Sequence, residues 1–269
     1  MGKGVDENNP VPANGGPSTI TLEDVRLSYL AVAGRDEVHV LGGISLDVRP
    51  GSFVCLIGTS GCGKSTLLSL IAGYIAPTAG RVLIDGQVVK GPASDRIMVF
   101  QHPTLFPWCT AAENVGFGLR LRVHKARSGN AEATIDTLLN LVGLKGFGDR
   151  YPFELSGGMR QRVEIARALA VRPRVLLMDE PFGALDALSR LSMQREMLRI
   201  WEDTGKTVVF VTHDIEEAVV LGDTVVVLSQ RPATVKEVLD VALPRPRLRE
   251  DPKVVALARH IATLLEASF

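Results

Sequence analysis

The stretch SFVCLIGTSGCGKSTLLSLIA at 52–72 restricts the fold more than any other part of the chain. An apolar, β-branched run (52–58) passes straight into Gly58-Thr59-Ser60-Gly61-Cys62-Gly63-Lys64-Ser65, and a helical run continues through Thr66 to Ala72. This is the pattern GxxxxGK[ST] between a strand and a helix. Its glycines let backbone N–H groups turn inward around phosphates, its lysine reaches the terminal phosphates, and its Ser hydroxyl ligates Mg²⁺. A chain that must hold such a loop between strand and helix belongs to the α/β class.

The rest of the sequence supplies the partners that this loop needs. RVLLMD (174–179) and KTVVFVT (206–212) are continuous apolar runs, as expected for parallel strands covered on both faces. Between them, Leu188, Leu191, Leu198 and Trp201 fall at helical spacing and predict an apolar stripe that ends at Gly205. On 160–171, Val163, Ala166, Leu169 and Ala170 predict another apolar face, with the basic residues pointing elsewhere. The stretch from about 103 to 160, punctuated by Pro, Trp and Gly, reads as a helical subdomain inserted into the sheet domain.

Asp179 and Glu180 close an apolar strand. There Asp179 is expected to hold Mg²⁺ through water, and Glu180 to orient or deprotonate an attacking water. His213 closes the strand VFVTHD, and two readings stand for it. It senses a γ-phosphate, or it is an ordinary satisfied strand-end histidine. Gln101, after the run IMVF, carries the same pair of readings: a contact to metal and water, or a loop amide. Ser156-Gly157-Gly158 opens a second helical run, and exposed backbone N–H groups at a helix start suit an oxyanion. Two glycine-rich anion sites in one chain of 269 residues need an explanation.

Composition narrows the setting. Thirty basic and thirty acidic side chains give a formal net charge of zero, which argues against bulk nucleic-acid binding. The longest apolar runs are strand-sized, so no membrane span is expected. Residues 1–18, rich in Gly, Pro and Asn, lack an apolar signal-peptide core and read as a disordered tail. Cys55, Cys62 and Cys109 show no CxxC spacing and fit a reducing compartment. Cys62 lies in the phosphate loop, so its alkylation is expected to block binding at that loop.

GTSGCGKST, Gln101, LSGGMRQR, LLMDEP, GALD (183–186) and His213 stand in the order and spacing of the ATP-binding cassette (ABC) ATPases. The chain resembles that family from about Thr19 to Arg247. The resemblance implies a P-loop NTPase (RecA-like) core over 19–245, with the inserted helical subdomain, an N-terminal antiparallel β-region and a C-terminal helical tail at 246–269. It implies ATP and Mg²⁺, with Ser65, Gln101 and Asp179 on the metal and Tyr29 stacked on adenine; the other reading of Tyr29 is a plain strand aromatic. In the family two cassettes associate head to tail. Ser156, Gly157 and Gly158 would then bind the γ-phosphate held by the partner's loop, with Asp186 along the interface, which explains the second anion site. Lys64, Glu180 and His213 would carry hydrolysis.

The stretch 91–119 is similar to cassettes that import nitrate, taurine and alkanesulfonates, with thiamine-precursor systems related. That likeness implies two permease subunits, an extracytoplasmic binding protein and a place on the cytoplasmic face of the inner membrane. A coupling helix would dock between Gln101 and Asn114, although Phe106-Pro107-Trp108 also reads as packed core. Thr59, Cys109 and Met159 depart from the residues common in this group without removing a catalytic function. A non-transport cassette acting as a nucleic-acid-linked switch is the alternative from another class, disfavoured by the neutral charge.

Overall fold

The computed structural model describes residues 16–29, 37–120, 131–183 and 185–266. An antiparallel sheet in the order β2-β1-β4-β5 is formed by β1 (Ile20–Tyr29), β2 (Val38–Val48), β4 (Ala79–Ile84) and β5 (Gln87–Val88). The main sheet runs β10-β9-β3-β8-β7-β6, from β10 (Val235–Asp240), β9 (Thr224–Leu228), β3 (Phe53–Ile57), β8 (Thr207–Thr212), β7 (Val175–Asp179) and β6 (Arg96–Val99). All its neighbours pair in parallel except the edge strand β10. Strands β3, β7 and β8 coincide with the three apolar runs read from the sequence.

Those runs are unbroken because each side of the sheet packs on a different core. Phe53, Cys55 and Ile57 of β3 point into one cluster, and Val54 and Leu56 into the other. The same alternation holds for Leu176 and Met178 against Val175 and Leu177, as pleating requires. One cluster joins the antiparallel sheet and α1 (Lys64–Ala72); the other is built with α2 (Ala111–Arg120), α4 (Gly157–Ala170) and α5 (Ala187–Thr204). The helix α3 (Ala131–Leu141) contacts α2 and α4; α2 and α3 lie inside the stretch expected as a helical insertion, and α4 begins at its C-terminal end.

The apolar face expected on α4 is buried, and its basic residues lie off that face and are tied to carbonyls: Arg160 donates to Leu155, Arg162 to Val142 and Arg167 to Thr104. Two expectations need correction. On α5 the buried apolar residues are Met193, Met197 and Ile200, while Leu188 is 80% exposed and Leu191 lies at the surface. Leu198 and Trp201 do pack partly against the core, so the helix leaves only its first turn off it. Second, Cys62 is only 2% exposed and sits in the core under the phosphate loop, with its Sγ turned toward Gly58. Its side chain is therefore shielded from alkylating reagents.

Of the expected N-terminal tail, 1–15 lie outside the described residues. Ser18 is part of the fold: it is buried, and both its N–H and its C=O bond to Thr207 Oγ1. At the other end α7 (Pro252–Glu266) packs on α6 (Ile215–Leu221), placing Val254 and Ile261 in the core. Arg247, buried just before α7, donates to the carbonyls of Val219, Gly222, Val241 and Leu243. Burial lowers its pKa to about 10, and the neighbouring Arg245 charge adds to that effect.

Removing the Arg247 guanidinium would orphan four main-chain acceptors, so Arg247→Ala should cost about 3 kcal/mol of stability, read as a lower urea midpoint. In the native protein Cys109, which is half-buried, should react with iodoacetamide well before Cys62, and peptide mapping should find nucleotide binding intact after Cys109 is fully modified.

Candidate functional site

The parallel ladders bring four strand ends to one edge of the main sheet. Ile57 pairs with Thr212, Asp179 with Val211, and Val99 with Met178. The segments that follow these ends are therefore adjacent: the glycine-rich loop, the 179–180 acidic pair, His213 and Gln101. In open α/β sheets ligands bind at this carboxyl edge.

The loop is shaped as an anion cradle. Gly63 begins α1 with φ +122°, a conformation that L side chains rarely adopt, and a Cβ there would reach 3.0 Å from Leu41 Cδ2. At Gly58 a Cβ would lie 2.8 Å from Cys62 Sγ. No side chain caps the start of α1, which leaves its first N–H groups for a ligand. Thr59 is half-buried while Ser60 and Gly61 are exposed on the lip of the loop, and Thr66 is half-buried one step into the helix. Lys64 is 6% exposed, and its ammonium lies inside the loop, donating to the carbonyls of Gly58 (2.8 Å) and Thr59 (3.1 Å). A buried cation held by two carbonyls beside an uncapped helix start is complementary to a phosphate.

The acidic pair faces this loop. Ser65 Oγ donates to Asp179 Oδ1 at 3.0 Å. Burial pushes the Asp179 carboxyl above its ordinary value and the Glu180 charge adds to it, opposed by the Ser65 hydrogen bond and the Lys64 charge. Glu180 has φ +44°, a strained conformation for a residue with a side chain, worth about 1 kcal/mol or more. Its N–H bonds to Val211 O and its C=O accepts from Gly183, so the backbone is fixed where the strand turns. The carboxylate gathers two further groups: His213 Nδ1 lies 3.1 Å from Oε2, and Gln101 Nε2 lies 3.5 Å from the same oxygen. His213 and Gln101 are exposed, open to whatever enters above the loop.

A hydroxyl, a carboxylate and a carboxamide are hard oxygen donors of the kind Mg²⁺ takes together with water and phosphate oxygens. Among the described residues no group of three or more His, Cys, Asp or Glu could hold a metal by itself. The set Ser65, Asp179 and Gln101 thus fits a cation shared with phosphate, not a closed protein cage.

Other predicted positions stand apart. Tyr29 ends β1 at 51% exposure, and residues 30–36 beyond it lie outside the described residues. Ser156 caps α4 by accepting from Met159 N at 3.2 Å, and with Gly157 it is exposed while Gly158 is half-buried. Among the described residues no hydrogen bond joins 156–158 to the phosphate loop, so one chain does not complete the two-site arrangement. Asp186 caps α5, accepting from Ser189 N at 3.0 Å.

Sequence reasoning missed how the Gln101 side of the site is held. Asn114 is fully buried; its Oδ1 accepts from Phe106 N, and its Nδ2 donates to the carbonyls of Phe106, Cys109 and Thr110. Glu164 accepts from both N–H and Oγ1 of Thr104, and Arg167 donates to the same threonine. This frame splits the Phe-Pro-Trp step: Phe106 packs on Phe117 at 4.6 Å and under Arg167, whereas Trp108 projects at 73% exposure. A groove of about 460 Å³ opens where Phe117 and Arg167 meet the sheet domain, lined also by Tyr74, Arg96, Met98 and Val171. A buried asparagine that organises a turn gives no periodic signal; only its place next to the Pro-Trp punctuation hints at it.

The ABC transporter family profile matches residues 41–183. An uncharacterised ABC transporter ATP-binding protein of Methanocaldococcus jannaschii is 49% identical, covering 92% of each chain. A nitrate import ATP-binding protein of Synechocystis is 45% identical over 91% of this chain and 94% of its own length. A taurine import ATP-binding protein of Roseobacter denitrificans is 43% identical over 84% and 82%. The chain spans about a third of the longer bicarbonate transport ATP-binding protein of Synechococcus elongatus, at 45% identity. Among solved structures, the dimer of an ATP-binding cassette in a post-hydrolysis state, bound to ADP and phosphate, superimposes with a TM-score of 0.72 at 32% identity, covering 84% of this chain and all of that one. With the loop, the acidic pair and the strand-end histidine on one sheet edge, the chain belongs to the ABC transporter ATP-binding family and is an ATP-hydrolysing cassette of the P-loop NTPase fold.

Proposed function

We propose that the chain is the ATPase subunit of an importer for a small oxyanion, a sulfonate such as taurine or nitrate, and that it works as a pair of cassettes. The observation that carries the catalytic part is the Glu180 carboxylate, fixed at the end of β7 between the Ser65–Asp179 pair and the His213 and Gln101 side chains. ATP lies with its phosphates in the 58–66 loop and its adenine on Tyr29. Lys64 leaves the loop carbonyls to meet the terminal phosphates, and Ser65, Asp179 and Gln101 hold Mg²⁺. The cation supplies charge neutralisation at the phosphates. Glu180 orients the attacking water and takes its proton, while His213 steadies the Glu180 carboxylate and reaches the γ-phosphate.

Ser156, Gly157 and Gly158 of a second copy complete the site. Among the described residues this helix start makes no hydrogen bond to the phosphate loop of its own chain, and the similar cassette of known structure is a dimer. Asp186, at the start of α5, lies along the same interface. The region from about 103 to 160 acts as a helical arm, and its surface around the exposed Trp108 receives a permease subunit, one for each cassette. An extracytoplasmic binding protein selects the solute, and the cassette works at the cytoplasmic face of the inner membrane. The described residues contain no helix long and apolar enough to cross a membrane, so the transport path belongs to the permease. The relatives' names, nitrate, bicarbonate and taurine at similar identity, support the class of small anions over any one of them. A thiamine-precursor importer and a non-transport switch are the competing outcomes of the growth test below.

Glu180→Gln should keep ATP binding, slow hydrolysis by at least about 100-fold and accumulate a nucleotide-bound dimer, seen by size-exclusion chromatography with ATP. Ser156→Ala should lower turnover of the assembled transporter while leaving ATP affinity of the isolated chain unchanged; weaker binding to the isolated chain would contradict the cross-dimer assignment. Deletion of the gene should abolish growth on taurine as sole sulfur source or on nitrate as sole nitrogen source, with rescue by wild type and not by Glu180→Gln. Normal growth on both would remove the oxyanion reading and move the search to the competing outcomes.

A further inference from the structure

A buried hydrogen-bond chain lies directly behind His213 and takes no part in the roles assigned above. Glu217 on α6 is 4% exposed, Gln194 on α5 is 3% and Thr212 at the end of β8 is 2%. Thr212 Oγ1 donates to Glu217 Oε2, and Gln194 Nε2 donates to Glu217 Oε1 at 2.8 Å. Thr212 Oγ1 also accepts from Asp214 N at 3.0 Å, which closes a loop around the backbone of His213. Asp214 in turn caps α6 by accepting from Glu217 N at 3.0 Å. Both residues flanking the histidine are therefore bound to Glu217.

Burying a carboxylate is costly unless its lone pairs are met by donors or charge. A leucine would fill the same space at lower cost, so a glutamate bonded on both oxygens needs a reason beyond packing. Burial pushes its carboxyl up, and the Thr212 and Gln194 donors hold it down. The two donors come from different elements, and each leads to a part of the site. Thr212 leads to His213, and His213 leads to Glu180 at 3.1 Å. Gln194 sits two turns along α5 from the helix start that Asp186 caps.

We infer that Glu217 is a positioning residue for hydrolysis, which sets the His213 imidazole against the Glu180 carboxylate by clamping Thr212 and Asp214 and ties that setting to α5 through Gln194. The inference rests on the proposed role of His213 at the γ-phosphate. A second latch acts from outside, where Arg249 meets Asp214 at 3.5 Å and Glu216 at 2.8 Å. The outer pairs are partly exposed and worth little alone. The inner chain is buried and specifies one arrangement.

Glu217→Gln is the direct test, because it keeps shape and volume but puts an amide NH₂ where one of two donors now bonds an oxygen. Turnover should fall about tenfold, as expected for a small misplacement of a reacting group, with KM for ATP within about twofold and Tm little changed. In a His213→Ala background the same substitution should have no further effect, and the His213 ring resonances, among five histidines, should move in Glu217→Gln alone. Gln194→Leu provides a second variant that reaches the chain from α5 and should show the same signature if Glu217→Gln fails to fold. Wild-type turnover in both variants overturns the inference, as does an undiminished loss in the His213→Ala background. If His213→Ala itself hydrolyses ATP at the wild-type rate, the reading of the site falls together with it.

Discussion

The parallel pairing of Ile57 with Thr212 and of Asp179 with Val211 is the constraint on which the rest depends. Side chains at strand ends have little freedom of their own, so the ladder decides which groups meet. One residue of slip in β7 would turn Asp179 away from Ser65 and reverse which face each apolar residue of the strand presents. The two cores prevent this. Leu176 and Met178 belong to one cluster and Val175 and Leu177 to the other, so register is specified on both faces at once. Precision at the site is thus supplied by burial several residues away from it.

The same logic explains which parts were legible in the sequence. The loop, the acidic pair and His213 were readable because each sits at the end of an unbroken apolar run, and such runs mark strands covered on both sides. The stripe on α5 was misread because apolar spacing was satisfied twice, once by Leu188, Leu191, Leu198 and Trp201 and once by Met193, Met197 and Ile200, and only the packing partner chooses. The burial of the Cys62 thiol was not legible because membership of a loop says nothing about side-chain direction, and here the thiol faces the core. Asn114, Glu164 and Glu217 escaped notice because a buried polar residue leaves no periodicity. Its partners are chosen in three dimensions, and Glu164 reaches Thr104 across sixty positions of sequence.

Electrostatics makes the site complementary to the guest proposed for it. Lys64 is satisfied by the carbonyls of Gly58 and Thr59, and Ser65 by Asp179. Under the proposed function, entry of a polyphosphate would exchange each of these bonds for a charged one. Burial and the Glu180 charge both disfavour the negative charge on Asp179, and a divalent cation arriving with the phosphates would relieve that cost. The same residues would then make a metal-bound nucleotide the favoured guest.

What one chain cannot supply is the other side of that guest. Ser156 spends its hydroxyl on the first turn of α4, and beside it Gly157 is exposed and Gly158 half-buried. A helix start of this kind gains most from an anion that arrives already held elsewhere, which favours two copies closing around nucleotide over a monomer folding back on itself. On the proposed pairing, closure would also engage Asp186, and α5 runs from that position to Gln194. The buried chain from Gln194 through Glu217 and Thr212 ends beside His213, so under that reading pairing of two cassettes and alignment of the groups around the water would share one connection. Dimerisation and hydrolysis would then be coupled, because the helix that meets the partner would also hold, through a single carboxylate, the histidine that meets the phosphate.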